Sequence, residues 1–110
     1  MLYYARGSER EILSGDDLRQ GLYAALEKLG TRHRVLALPP DITRLHSRAG
    51  ELTRYAWQYY NRALTDVLPA LGTHFAMTGP EIAKMFGEMP SALFRVHDWR
   101  NGFATLGEVP

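Results

Sequence analysis

An α/β fold, a mostly parallel sheet with helices packed on it, is predicted by the alternation of two patterns along the chain. Stretches with apolar residues at helical spacing are separated by short, uninterrupted apolar runs. The run Val35-Leu36-Ala37-Leu38 lies between two helical stretches and is closed by Pro39-Pro40. A strand so placed reads as buried on both faces, which is how parallel sheets are built. Strand–helix–strand order in turn implies right-handed crossovers.

The elements follow in order. Leu2-Tyr3-Tyr4-Ala5 is an apolar and aromatic run readable as a strand ending at Gly7. Ser14 is a candidate N-cap with Asp17 three residues on, and Leu18, Leu22, Ala25, Leu26 and Leu29 recur at helical spacing up to Gly30, a natural C-cap. After the strand at Val35–Leu38, a second helix is marked by one broad apolar stripe: Leu52, Tyr55, Ala56, Tyr59, Tyr60, Ala63 and Leu64. Val67-Leu68-Pro69-Ala70-Leu71 predicts a third strand, where Pro69 lacks a ladder donor and implies an edge position or a later start. Thr78-Gly79-Pro80-Glu81 has capping-box spacing, and Ile82, Met85 and Phe86 form the apolar face of a short helix before Gly87. Phe94-Arg95-Val96-His97 alternates like a fourth strand, and Ala104-Thr105-Leu106 reads as a further short one.

Composition bounds what such a fold can do. The chain has 110 residues, the size of one domain or part of one, since domains commonly run ~100–150 residues. Its residues are 45% hydrophobic and 23% charged, ordinary values for a globular protein rather than a disordered one. Lys and Arg number 13 against 12 Asp and Glu, a formal charge of +1, which sets up no strong field for nucleic acid or anionic lipid. The Arg32-His33-Arg34 cluster is too short for a nucleic-acid groove. The lack of cysteine excludes disulfides, thiolate nucleophiles and Cys-ligated metals. No apolar run approaches the ~20 residues of a membrane-spanning helix, and the start has no signal-peptide core, so a cytoplasmic location is expected.

In open parallel sheets ligands bind beyond the carboxyl ends of the strands. Asp41-Ile42-Thr43-Arg44 follows one strand and Gly72-Thr73-His74 follows the next, so parallel pairing is expected to bring both segments to one rim. A carboxylate, a hydroxyl, a guanidinium and an imidazole would converge there, a pocket suited to a small anion. The plainer reading stands beside it: Asp41 with Thr43 also suits a turn or helix cap, and His74 after Gly-Thr also suits a turn. His33 and His46 read as solvated surface groups, and His97-Asp98 are adjacent side chains that rarely chelate one ion from a strand end. HExxH, GxSxG and P-loop motifs are absent. The Tyr55, Trp57, Tyr59 and Tyr60 group reads as core plus one interface edge.

These segments also carry a resemblance. Asp41-Ile42-Thr43-Arg44 resembles the Asp-His-Thr-Arg segment of the nickel-dependent lactate racemase family. Leu71-Gly72-Thr73-His74 through Thr78 is similar to that family's Gly-Thr-His loop before a capped helix, with Glu81-Ile82 and Gly87 fitting the helix. Val96-His97-Asp98-Trp99 is similar to its Asn-His-Asp-Trp segment, and Leu106-Gly107 to the Leu-Gly-Thr that follows. The resemblance implies an incomplete portion of a larger Rossmann-like domain, the amino-terminal part of a racemase or epimerase of small 2-hydroxy acids. It implies that Arg44 holds the substrate carboxylate, that His74 exchanges a proton with the substrate hydroxyl, and that Asp41 and Thr43 line the pocket of a nickel-pincer nucleotide. Departures accompany it: Ile42 stands where the family usually has histidine, Leu45 where proline is usual, and Phe75-Ala76 where Arg-Pro is common.

The family's cofactor-tethering lysine, nickel-binding histidine and second catalytic histidine have no counterpart here. No residue is therefore assigned as a metal ligand. The chain alone is expected to bind no cofactor, to be inactive, and to self-associate through the aromatic face of the second helix or an unpaired strand edge. The alternative expectation is a truncated non-catalytic module that binds a small anion or associates with itself.

Overall fold

A computed structural model describes residues 1–110. It contains α1 (Gly15–Leu29), β1 (Val35–Ala37), a 3-10 helix (Ile42–Ser47), α2 (Ala49–Tyr60), β2 (Leu64–Val67) and α3 (Gly79–Phe86). Two further short 3-10 turns cover Asn61–Ala63 and Ser91–Leu93. The architecture is mixed: helices and a two-stranded parallel sheet in the order β1-β2. No helix is long and apolar enough to cross a membrane.

The helix boundaries follow their local chemistry. Ser14 and Asp17 close a reciprocal capping box at the start of α1, and Gly30 ends the helix at φ 77° with its N–H on the carbonyl of Glu27. Thr78 and Glu81 form the same box at α3, with Pro80 in the first turn, and Gly87 ends that helix at φ 65°. α2 ends sooner than its apolar stripe suggests. Asn61 takes a left-handed φ of 51°, and Leu64, counted in the helical stripe, instead begins β2. The third predicted strand at Val67–Leu71 is thus displaced toward the amino terminus, so that Pro69 falls beyond it and costs the ladder no donor.

β1 and β2 pair as Val35 with Leu64, Leu36 with Asp66, and Ala37 with Val67. The ladder continues past both strands, where the N–H of Leu68 donates to the carbonyl of Ala37 and that of Ala70 to Pro39, at 2.9 and 2.8 Å. Pro40 and Ala70 make a final parallel bridge. On the other side of β2, Phe94 bridges Val67 in parallel, and the N–H of Arg95 donates to the carbonyl of Val67 at 2.8 Å. An ion pair of 2.7 Å between Arg95 and Asp66 fastens the same junction. The fourth predicted strand is therefore a single bridge, while Leu2–Ala5 and Ala104–Leu106 form no strand at all. The first of these runs packs instead on α1: Tyr4 lies so close over Gly21 that an added Cβ would stand 2.5 Å from its ring.

The core lies between the sheet and the α2–α3 layer, and comprises Leu64, Val67, Met85, Phe86 and Met89. Phe86 and Phe94 pack with ring centroids 4.9 Å apart. α2 meets α3 so closely at Gly50 that a Cβ there would come within 2.1 Å of the carbonyl oxygen of Met85. The expectation of a β1 buried on both faces is corrected: Leu36 is 53% and Leu38 64% exposed. Helices cover one face of a sheet only two strands wide, and side chains of alternate residues point away from them. α1 packs on the aromatic face of α2, with the rings of Tyr23 and Tyr59 5.0 Å apart, and Tyr59 remains 37% exposed.

Candidate functional site

The ladder between Pro40 and Ala70 fixes where the two strand-end loops begin. Beyond it Asp41 caps the 3-10 helix, taking the N–H of Thr43 at 3.1 Å and its hydroxyl on the same oxygen, Oδ1. Leu71 is buried and accepts the N–H of His74 at 3.0 Å, which turns the second loop back toward the first. The outcome is a contact between Oδ2 of Asp41 and Nδ1 of His74 at 2.6 Å.

This pair has a defined electrostatic character. Asp41 is 3% exposed, yet its carboxyl is held below the ordinary carboxylate value. Burial pushes it up, but the hydroxyl of Thr43, the ring of His74 and the N–H of Thr43 together outweigh that. An ionised carboxylate can only accept, so Nδ1 of His74 donates to it, and in the neutral ring Nε2 is the nitrogen without a proton. The imidazole itself is half open to solvent, with its side chain 52% exposed. A buried carboxylate that orients an exposed imidazole is the arrangement by which a histidine is held in one tautomer for proton transfer.

The remaining predicted residues divide. Thr43 is exposed, with its hydroxyl committed to Asp41. Arg44 is exposed on the same 3-10 helix, and its guanidinium pairs with no carboxylate. His33 and His46 are surface groups. Each oxygen of Asp41 has a hydrogen-bond partner, and its side chain is 5% exposed.

Comparison with protein families, curated proteins and solved structures was equally plain. None matches. The chemistry of the site therefore stands on its own geometry. His74 lines an open groove of about 300 Å3 together with the segment from Val96 to Arg100. Sequence reading passed over Arg100 and gave Trp99 no role, although a basic residue next to an indole is a signal for a stacked cation. Asp98 shapes that segment: its Oδ1 accepts the N–H groups of Arg100 and Asn101 at 3.2 and 3.1 Å.

No group of three His, Cys, Asp or Glu residues placed to hold a metal ion is present, and Nε2 of His74 has no hydrogen-bond partner. Of the two lysines, Lys28 donates to the carbonyl of Tyr3, and Lys84 lies in the last turn of α3.

Proposed function

We propose that this chain supplies the proton-transfer half of a site that racemises or epimerises a small 2-hydroxy acid. The observation that carries the reading is the Asp41–His74 pair at the carboxyl rim of a parallel sheet. Nε2 of His74 would take the hydroxyl proton of the substrate and return it, while Asp41 keeps the ring in the required tautomer. A carboxylate needs a guanidinium near that ring, and the unpaired Arg44 on the same rim is the one the sequence resemblance favours. The two-electron half of the reaction, removal and return of the α-hydrogen as hydride, is work that no amino-acid side chain performs. The chain brings no set of metal ligands together, so a nickel-pincer nucleotide would take its ligands from a larger Rossmann-like sheet in the cytoplasm.

Titration with D-lactate and L-lactate, followed through the Cε1–H signal of His74, tests this. Both enantiomers should move the signal, because a racemase must admit both hands, and Asp41→Asn should abolish the effect. An unmoved His74 signal with either enantiomer would sink the reading.

A second reading is favoured by the outer edge of β1, which has no partner, and by Leu36 and Leu38, 53% and 64% exposed on the sheet face that no helix covers. Further strands pair there, from elsewhere in a larger sheet or from a second copy of this chain.

A further inference from the structure

The groove beside His74 is not lined by Arg44. Arg100 lines it together with His74. The guanidinium of Arg100 lies 4.2 Å from the centroid of the Trp99 ring and pairs with no carboxylate. Stacking on an indole holds the planar fork in place while leaving its N–H edge free, which suits bidentate capture of a carboxylate.

The apolar walls of the same groove add a second requirement. Phe75 is 95% and Val96 68% exposed, and with Trp99 they line the groove alongside His74 and Arg100. Single exposed apolar residues need no explanation. Apolar groups gathered around two imidazoles, His74 and His97, the guanidinium of Arg100 and the Asp98 carboxylate, whose Oδ1 is held by backbone N–H groups, do, because ligand sites combine apolar walls with a few convergent polar groups. At about 300 Å3 the groove also reaches the lower end of the range, ~300–1,000 Å3, that such sites occupy.

We infer that this groove takes a 2-hydroxy acid bearing a large apolar substituent: its carboxylate pairs with Arg100, its hydroxyl meets Nε2 of His74, and its substituent covers Phe75. The inference rests on the reading of His74 as the proton-transfer group. It replaces Arg44 by Arg100 as the carboxylate anchor and lactate by a bulkier acid as the preferred ligand.

The test compares 3-phenyllactate with L-lactate on the full chain by NMR, reading the His74 Cε1–H and Trp99 indole N–H signals together. Phenyllactate should move both signals and bind about tenfold tighter than lactate, the gain from covering a phenyl group. Arg100→Ala should weaken phenyllactate about tenfold or more, and Arg100→Lys less. Phe75→Ala should bring phenyllactate back toward lactate. These positions are all exposed, so retained signal dispersion verifies that each variant folds.

Shifts at His74 with lactate bound as tightly as phenyllactate, or a loss on Arg44→Ala that Arg100→Ala does not reproduce, would overturn this inference and leave the proton-transfer reading intact. No shift at His74 with either acid would overturn both.

Discussion

Asp41 and His74 are separated by 33 positions in the chain and by 2.6 Å in the fold. The contact is buried on the carboxylate side and open on the imidazole side, so one partner is a fixture and the other is available. Removing the fixture should be felt in stability first. Asp41→Asn keeps the shape but replaces an acceptor oxygen by a donor facing Thr43 or Nδ1–H. A loss of about 1–3 kcal/mol is expected at neutral pH, measured by urea unfolding.

The same pair dictates a pH dependence. The carboxyl of Asp41 is held below its ordinary value in the folded state, so the folded chain binds its proton less readily than the unfolded chain does. Its contribution is fully present above the unfolded carboxylate pKa of ~3.9 and is lost as pH falls through the lower folded value. The stability gap between the wild type and Asp41→Asn should therefore be flat through neutral pH and close only in acid. A gap that instead changed between pH 6 and 8 would place the responsible charge on another group.

The tautomer can be read directly. With the carboxylate accepting from Nδ1, the 15N spectrum of neutral His74 should show a protonated Nδ1 and an unprotonated Nε2. The reverse assignment would disqualify Nε2 as the base. In a larger protein that completes the site, His74→Ala should chiefly lower kcat, whereas loss of the carboxylate-binding arginine should chiefly raise KM.

Without a redox group of its own, the chain should interconvert neither enantiomer of lactate and should retain no stoichiometric nickel after purification. Elemental analysis of the purified protein decides the second point. One nickel per chain would mean that His74 finds ligands which the described rim does not bring together.

Self-association is expected at β1 rather than at the aromatic face of α2. Light scattering at micromolar concentration should show a dimer or larger species, and Leu36→Lys should return it to monomer by placing a charge on the exposed strand. A monomeric wild type would remove the second reading proposed above.

How much of this was legible in the sequence depended on whether the signal was local. Ser14 with Asp17 and Thr78 with Glu81 are capping boxes whose partners sit within one turn, and both formed as their spacing implied. The shared rim was legible as well, because it requires only that Val35–Ala37 pair in parallel with the strand after α2. What could not be read were choices made by distant partners. Leu64 continues the helical stripe in period, but Asn61 breaks the helix and Val35 pairs with Leu64 across the sheet. Leu2–Ala5 has strand composition, yet Gly21 offers Tyr4 a seat on a helix instead. The groove wall from Val96 to Arg100 is invisible to periodicity, since an Asp98 turn aims it rather than a repeating pattern.

The parallel bridge between Pro40 and Ala70 makes the candidate base a late product of folding. Asp41 and His74 can meet only after the intervening helix has been wrapped and both strands laid side by side, a closure whose entropic cost precedes any reward. A chain that has secondary structure but has not yet closed this loop carries an imidazole with no fixed tautomer and no aligned neighbour. The signal of His74 should accordingly sharpen with the slowest folding phase rather than with helix formation, which makes one ring a clock for the completion of the whole crossover.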